Sequence, residues 1–595
     1  MQVSWRWLNE YIDLKDITVE QLSKTLTSIG LEVEGIDEKK PLKGDVVVGK
    51  ILSAVQHPNA DKLRVCQVDA GDKEPLTIVC GAHNARAGIK VAVAKVGSEL
   101  PGDFKIKESK IRGEKSVGML CSGAELQLSS DSDGIIELPE GLSLGSSIAD
   151  YFHMNDTIIE IGLTPNRSDC LGLIGLARDL AAKLDKTLKI PDEKSAKTDS
   201  SLKSESHISV KIHDAKDSAR FTALYVADVR TIPSPQWLQR RLQYTGLRPI
   251  NLLVDATNYV MLESGQPIHA YDERDISGKT LEVRRAKAGE TLQSLDEQTR
   301  KLVDTDIVIA DAKKAVGIAG IMGGANSEIK KDTTAIVIEV AHFNPSLVRK
   351  TSKRFALHTE ASHRFERGID IENTAWVARR VAALILSCTE EMKRNEGLDI
   401  PTPRIASTLV DQYPKTWEPK VIELRLPRLH AISGIKSLNT EQAAKILEKL
   451  GCKIATKNDN PLKVTPPSWR HDLEREVDLI EEVVRIFGYD QIPLTLPKVE
   501  MGVLAEHPLI DFIDLTKVAL AQIGLHETIS FPFMGTEDLD RLSISSEHPL
   551  SAAVKIINPL VEHHRLMRTT MIVGLIQALQ QNRRNGLKGS RLFEL

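Results

Sequence analysis

The chain has 595 residues, 27% charged and 41% apolar, enough for several hydrophobic cores and, at roughly 150 residues each, about four domains. Its formal net charge of −4 argues against a simple RNA-coating protein, because nucleic-acid binders are often strongly basic, and confines any RNA contact to local patches. No apolar run reaches the ~18 residues of a membrane span, the start Met1-Gln2-Val3-Ser4-Trp5-Arg6-Trp7 has no signal pattern, and the six cysteines are scattered without a CxxC, as in reduced packing positions of a cytoplasmic protein without a zinc site.

In the first 40 residues, Thr18 and Gln21 form a capping-box pattern. Leu22, Leu26 and Ile29 continue a helical stripe, Gly30 stops it, and Leu31, Val33 and Ile36 suggest a strand. The same plan returns at Asn439, Gln442, Leu447, Leu450, Gly451 and Ile454, a weak repeat of a capped helix, a glycine and a strand. Residues 41–150 change character. Short β-rich runs at 46–51, 63–68, 76–79 and 91–94 are separated by Gly, Asn and Asp, which implies a small barrel or sandwich. Lys105, Lys107, Lys110, Arg112 and Lys115 lie within it, as either a solvated hairpin or an RNA contact. After this segment the run 158–170 leads into a helix from Leu173 to Leu184, so 41–150 reads as an insertion into a module made of 1–40 and 151–190.

Residues 191–206 are polar and aperiodic and read as a linker; a second, proline-containing linker is expected from about Asp399 to Lys420. Between them, 207–400 form a mixed α/β domain. Residues 421–495 hold the second helix–strand module and an acidic helix. Residues 505–595 begin another α/β domain, with an apolar helix from Leu509 to Ile523, a strand at 527–531 and a last strand at 591–595. The basic turn 582–591 is expected to be an exposed helix–strand connection.

Three unusual runs lie in the middle third. The first, 357–368, reads LHTEASHRFERG, too polar for a buried strand and too poor in apolar residues for an amphipathic helix. Its small residues beside two His, two Glu and two Arg suit a ligand cleft, although a lone polar run is more often a surface loop. The second spans Asn251 to Asp272, and the third is the glycine-rich turn 319–324.

In order and spacing these runs resemble the editing domain of the bacterial phenylalanine–tRNA ligase beta subunit. The resemblance extends over the chain: His57 to Leu63 and Gly118 to Ser122 resemble its OB-type tRNA-binding barrel, and 467–490 its magnesium-binding run. It implies winged-helix-like small modules and, at 505–595, the start of an inactive class II ligase-like domain. Relatives continue further, so the chain reads as incomplete at its C-terminus. The resemblance also implies an alpha subunit that binds ATP and phenylalanine, an alpha2-beta2 tetramer and tRNA(Phe) as partner.

By the same resemblance Thr257, His269, Gly323, Glu339, Thr359 and Ala361 fall at the editing positions. The chemistry is coherent. An apolar pocket rejects an added hydroxyl by only about 100-fold, so a second site that binds the hydroxyl and hydrolyses the wrong ester is useful. Glu339 lies in a buried-looking strand, where a carboxylate needs a partner: a tyrosine hydroxyl, a His or an Arg. His269 is expected either to position water or to hold the ribose end of the tRNA. No nucleophilic triad is evident, so direct attack by water is expected. In the acidic run Asp478, Glu481 and Glu482 share one helix face and Asp472 lies near its start, either as a solvated acidic face or, as the resemblance implies, a Mg2+ site.

Overall fold

The two flanks of the 41–150 segment meet in one antiparallel sheet: Asp156–Gly162 lies between Gln2–Ser4 and Glu32–Lys39, with Asp156 opposite Lys39. The computed structural model describes residues 1–595 except 40–41, 129–131, 193–196, 457–459, 498–501 and 503–506. Its contacts separate into two units, Met1–Leu494 and Thr495–Leu595. Both sequence-predicted capping boxes form. Thr18 and Gln21 cap the helix Val19–Ser28, and Asn439 and Gln442 cap Thr440–Lys449, each satisfying two backbone N–H groups. Gly30 and Gly451 end them at φ 85° and 91°, where other residues are strained.

The inserted segment forms a sheet in the order Gly118–Leu120, Lys90–Lys95, Val46–Gln56, Arg64–Asp69, Leu76–Cys80. It nearly closes: Val117 N donates to Thr77 O at 2.9 Å and Val79 N to Ser116 Oγ at 3.1 Å. The central strands are apolar on both faces because both are covered. Val47, Val91 and Val93 join Ile51, Val68 and Ile78 on one side, while Val48, Ala92 and Ala94 pack under Leu126, Ile148 and Phe152 on the other. A hairpin of Ser109–Ile111 and Glu114–Ser116 carries Lys110, Arg112 and Lys115. Asn59 Nδ2 donates to Arg112 O at 3.1 Å, tying this hairpin to the loop after the Val46–Gln56 strand.

The middle third builds two sheets. One runs Thr198–Asp199, Arg404–Ala406, Ser218–Ala227, Ala335–Phe343, His269–Asp272, with Val410–Gln412 also on Ser218–Ala227. The other runs Ser209–Ile212, Thr280–Arg285, Ile307–Ala310, Ala315–Ile318, Met322–Gly323. The helices Leu252–Ser264 and Thr374–Glu396 pack together, the second against the first sheet. Both expected linkers are corrected here. Residues 198–199, 404–406 and 410–412 are sheet strands, and Ser204 is buried, accepting from Tyr225 N at 3.0 Å and donating to Thr408 O at 2.7 Å. Two- and three-residue strands on polar sequence leave no period to read.

The second helix–strand module adds a sheet of Ile422–Leu424, Leu462–Thr465 and Lys453–Ile454 beside the helix Glu476–Phe487. The unit 495–595 contains the helix Pro508–Gln522, which buries none of its residues, and the helices Thr536–Arg541 and Ile572–Arg584, which contribute Leu539 and Val573 to a small core with Met534 and Leu566. The strand expected at 527–531 is limited to His526–Glu527, which pairs in parallel with Leu592–Phe593. The basic turn connects the Ile572–Arg584 helix to that last strand, where Asn582 Nδ2 reaches Ser590 Oγ at 3.1 Å. No helix among the described residues is long and apolar enough to cross a membrane.

Candidate functional site

Strand register creates the central constellation. His269–Asp272 runs antiparallel to Ala335–Phe343 with His269 directly opposite Glu339. Facing residues of such a pair lie within reach of one another on the same side of the sheet. Glycines from the second sheet complete the hollow. Gly317 pairs with Gly323, and a Cβ on Gly323 would stand 2.7 Å from His269 Cε1. The result is a cavity of about 210 Å³ walled by Ile309, Ile318, Ile321, Phe343 and Phe365, with His269, Tyr271, Gly323, Glu339, Thr359 and Ala361 on its lining. Five of the six residues expected at the site therefore converge. Thr257 does not: it is buried in the helix Leu252–Ser264, where its Oγ1 donates to Val254 O at 2.7 Å, and it is not part of the cavity lining.

Electrostatics follow from enclosure. Glu339 is 5% exposed, and burial raises its carboxyl to about 8 against the opposing pull of one hydrogen bond. That bond comes from Tyr271, whose hydroxyl donates to Oε2 at 2.5 Å. The sequence leads to a bound tyrosine's hydroxyl, a His or an Arg as the partner of Glu339; the partner found is instead a tyrosine of the chain itself. Tyr271 was not singled out in the sequence, although it stands two residues after His269 in a strand and so shares its face. His269 is half-buried as a residue, but its Nε2 is closed off from solvent and has no hydrogen-bond partner. Burial lowers the imidazole to about 4, so it is neutral near pH 7, with Cε1 and the unpartnered Nε2 lying against Gly323.

The polar run divides between two places. Contrary to its composition, Glu360–Phe365 is a short helix, because Thr359 and Ser362 form a capping box. Thr359 Oγ1 accepts from Ser362 N at 3.0 Å and donates to Ile321 O at 2.9 Å, so this hydroxyl ties the helix to the glycine turn. Thr359, Ala361 and Phe365 face the cavity. His358, Glu360, His363 and Glu366 line a separate hollow of about 510 Å³ that Thr359 also borders. Arg364 is fully buried and donates to Leu171 O at 3.1 Å.

The acidic run is arranged differently from the expected magnesium site. Arg470 donates to both oxygens of Asp472, at 2.8 and 2.9 Å, and also pairs with Glu482. Arg485 reaches Glu482 at 2.7 Å and Asp179 at 2.8 Å, and Arg167 reaches Asp179 at 2.7 Å. Asp478 faces Arg475 at 3.0 Å, and Glu481 is exposed. Burial alone would raise the Glu482 carboxyl, but the two guanidinium groups hold it at about 2. Among the described residues no group of three or more His, Cys, Asp or Glu is placed to hold a metal ion. The arginines take the carboxylate lone pairs that Mg2+ would need, so this arrangement does not fit the ion.

Four domain families match in succession: a tRNA binding domain at residues 46–147, the B3/4 domain at 217–390, the tRNA synthetase B5 domain at 422–489 and the phenylalanyl tRNA synthetase beta chain CLM domain at 492–595. With the near-closed barrel and the two-sheet cavity, they define a subunit of an aminoacyl-tRNA ligase. The chain is 43% identical to the phenylalanine–tRNA ligase beta subunit of Geobacter metallireducens, 42% to that of Geobacter sulfurreducens and 38% to that of Geobacillus kaustophilus. Each match covers 100% of this chain and 72% of the relative. It belongs to the phenylalanine–tRNA ligase beta subunit family.

Proposed function

We propose that this chain proofreads: it hydrolyses tyrosine from misacylated tRNA(Phe) in the cavity between its two middle sheets. An alpha subunit would use ATP to activate phenylalanine and form the ester, in a cytoplasmic alpha2-beta2 assembly, and the barrel would contribute to holding the tRNA. The observation that carries the reading is a carboxylate, Glu339, placed in an apolar hollow opposite an unpartnered imidazole nitrogen on His269. A tyrosyl side chain entering the hollow brings its phenolic O–H to Glu339. A phenylalanyl side chain leaves that carboxylate unmatched, which a hydrogen-bonding site penalises strongly.

In the reaction, water oxygen bonds to the ester carbonyl carbon and the bond from that carbon to the ribose oxygen breaks, giving tyrosine and a free ribose hydroxyl. His269 is neutral, and with the ester bound its ring turns so that the unpartnered Nε2, closed off in the empty cavity, accepts a hydrogen bond from the attacking water and orients it. Gly323 leaves room beside the ring and Ala361 keeps the wall thin. The test is hydrolysis of preformed Tyr-tRNA(Phe) and Phe-tRNA(Phe) by the complete ligase, with and without Glu339→Ala. The expected result is fast loss of tyrosine only, with the preference falling in the variant. Equal hydrolysis of both esters before and after the change would leave the chain as a tRNA-binding scaffold.

A further inference from the structure

Tyr271 occupies the carboxylate on which the proofreading reading rests. His269 and Tyr271 are two residues apart on one strand and share a face. The register sets His269 opposite Glu339 and Tyr271 opposite Val337, so Tyr271 and Glu339 are diagonal neighbours, within reach of an aromatic side chain. The Tyr271 ring is 1% exposed and meets His269 edge-on, with centroids 4.5 Å apart. The phenolic oxygen lies beside Gly317, where a Cβ would stand 4.0 Å away, in ordinary contact.

The two carboxylate oxygens are therefore unequal. Oε2 accepts from the Tyr271 hydroxyl, and among the described residues no protein group donates to Oε1. Glu339 also lines the cavity. We propose that Tyr271 is a specificity-determining positioning residue: its phenol fixes one oxygen of Glu339 and leaves the other as the acceptor for the para-hydroxyl of a misloaded tyrosine. This rests on the proofreading reading of the same cavity.

The hydroxyl matters beyond ring packing, which phenylalanine would also supply. It is the one group that counters burial at this carboxyl. Without it, Glu339 loses its anchor and keeps its proton to higher pH. A free, neutral acid makes weaker hydrogen bonds than a fixed carboxylate and can turn its own O–H toward the ligand. At pH above about 8, where wild-type Glu339 is charged, the preference for tyrosyl over phenylalanyl ester should then fall about tenfold, the usual difference between a charged and a neutral acceptor.

The test uses the complete ligase and both preformed esters between pH 6 and 9, with wild type, Tyr271→Phe and Glu339→Gln compared. The expected result is a lower tyrosyl preference in Tyr271→Phe, with the pH midpoint of that preference moved upward. A second readout needs no catalysis: the infrared carbonyl band of protonated Glu339, identified by its absence in Glu339→Gln, should persist to higher pH in Tyr271→Phe than in wild type. An unchanged preference, or coincident infrared midpoints, would overturn the assignment. If the wild-type ligase shows no tyrosyl preference, the proofreading reading itself fails, and that outcome is distinct from the first.

Discussion

Gly323 and His269 stand so close that any side chain on the glycine must move the imidazole: a Cβ would lie 2.7 Å from Cε1, 3.0 Å from Nε2 and 3.3 Å from Leu295 Cδ1. The glycine is needed for space, since its backbone is held in ordinary sheet pairing with Gly317. Gly323→Ala is therefore expected to fold and to displace the ring by a few tenths of an ångström or more. A displaced water-orienting group costs up to about 100-fold in rate. Deacylation of Tyr-tRNA(Phe) should drop accordingly while the melting temperature changes little. Wild-type hydrolysis in Gly323→Ala would remove His269 from the reaction.

Glu339 makes stability depend on pH in an unusual direction for a carboxylate. Its folded value, about 8, lies above the usual 4.5, so the folded chain holds this proton more tightly than the unfolded chain. The associated stabilisation is complete below 4.5, declines as pH rises and is gone above about 8. Relative to Glu339→Gln, wild type should lose stability across that window, by at most roughly 4–5 kcal/mol. Burial of His269 acts oppositely, losing stability as pH falls from 6.5 towards about 4. The comparison with Gln isolates the carboxylate, and denaturant titrations at pH 5 and 8.5 measure it. Parallel curves for the two proteins would contradict the buried-carboxylate description.

What could be read in the sequence divides along physical lines. The capping boxes at Thr18 and Asn439 are local, three-residue signals, and both form as expected. His269, Gly323, Glu339, Thr359 and Ala361 are picked out by the family resemblance rather than by any local pattern, and all five line one cavity. Thr257 belongs to the same set by that resemblance, but it is outside the cavity lining, its hydroxyl turned back onto Val254 O within its helix. The pairing of Tyr271 with Glu339 joins residues 68 apart through strand register, which no local pattern reveals. The acidic run, with Arg470 and Arg475 inside it, is legible in the sequence; the part played by Arg485, which meets Asp179 across 306 residues of chain, is not.

Thr359 spends its hydroxyl on structure, as acceptor from Ser362 N and donor to Ile321 O. Loss of a helix cap typically costs about 1 kcal/mol. Thr359→Ala should destabilise by that order and loosen the cavity wall, whereas Thr359→Ser should restore both stability and deacylation. If Ala and Ser behave alike in a thermal melt, the capping account is wrong.

The buried ion lattice makes the last prediction. Arg485 is 3% exposed; one Nη donates to Asp179 at 2.8 Å and to Ile29 O at 3.0 Å, and the other to Glu482 at 2.7 Å. It thereby fastens the Glu476–Phe487 helix to the N-terminal module and to the helix Leu173–Leu184. Removing one member of a buried pair strands the opposite charge, at about 3–5 kcal/mol, whereas removing both with apolar replacements is often nearly neutral. Arg485→Met should therefore cost at least about 3 kcal/mol in a denaturant titration. Arg485→Met combined with Glu482→Met should cost less than the sum of the single changes by more than about 1 kcal/mol, the signature of direct coupling. Arg470 and Arg167 remain to satisfy Asp472 and Asp179 in that double variant, so the recovery is measurable. Strict additivity of the two changes would show that the arginine and the carboxylate stabilise the junction independently.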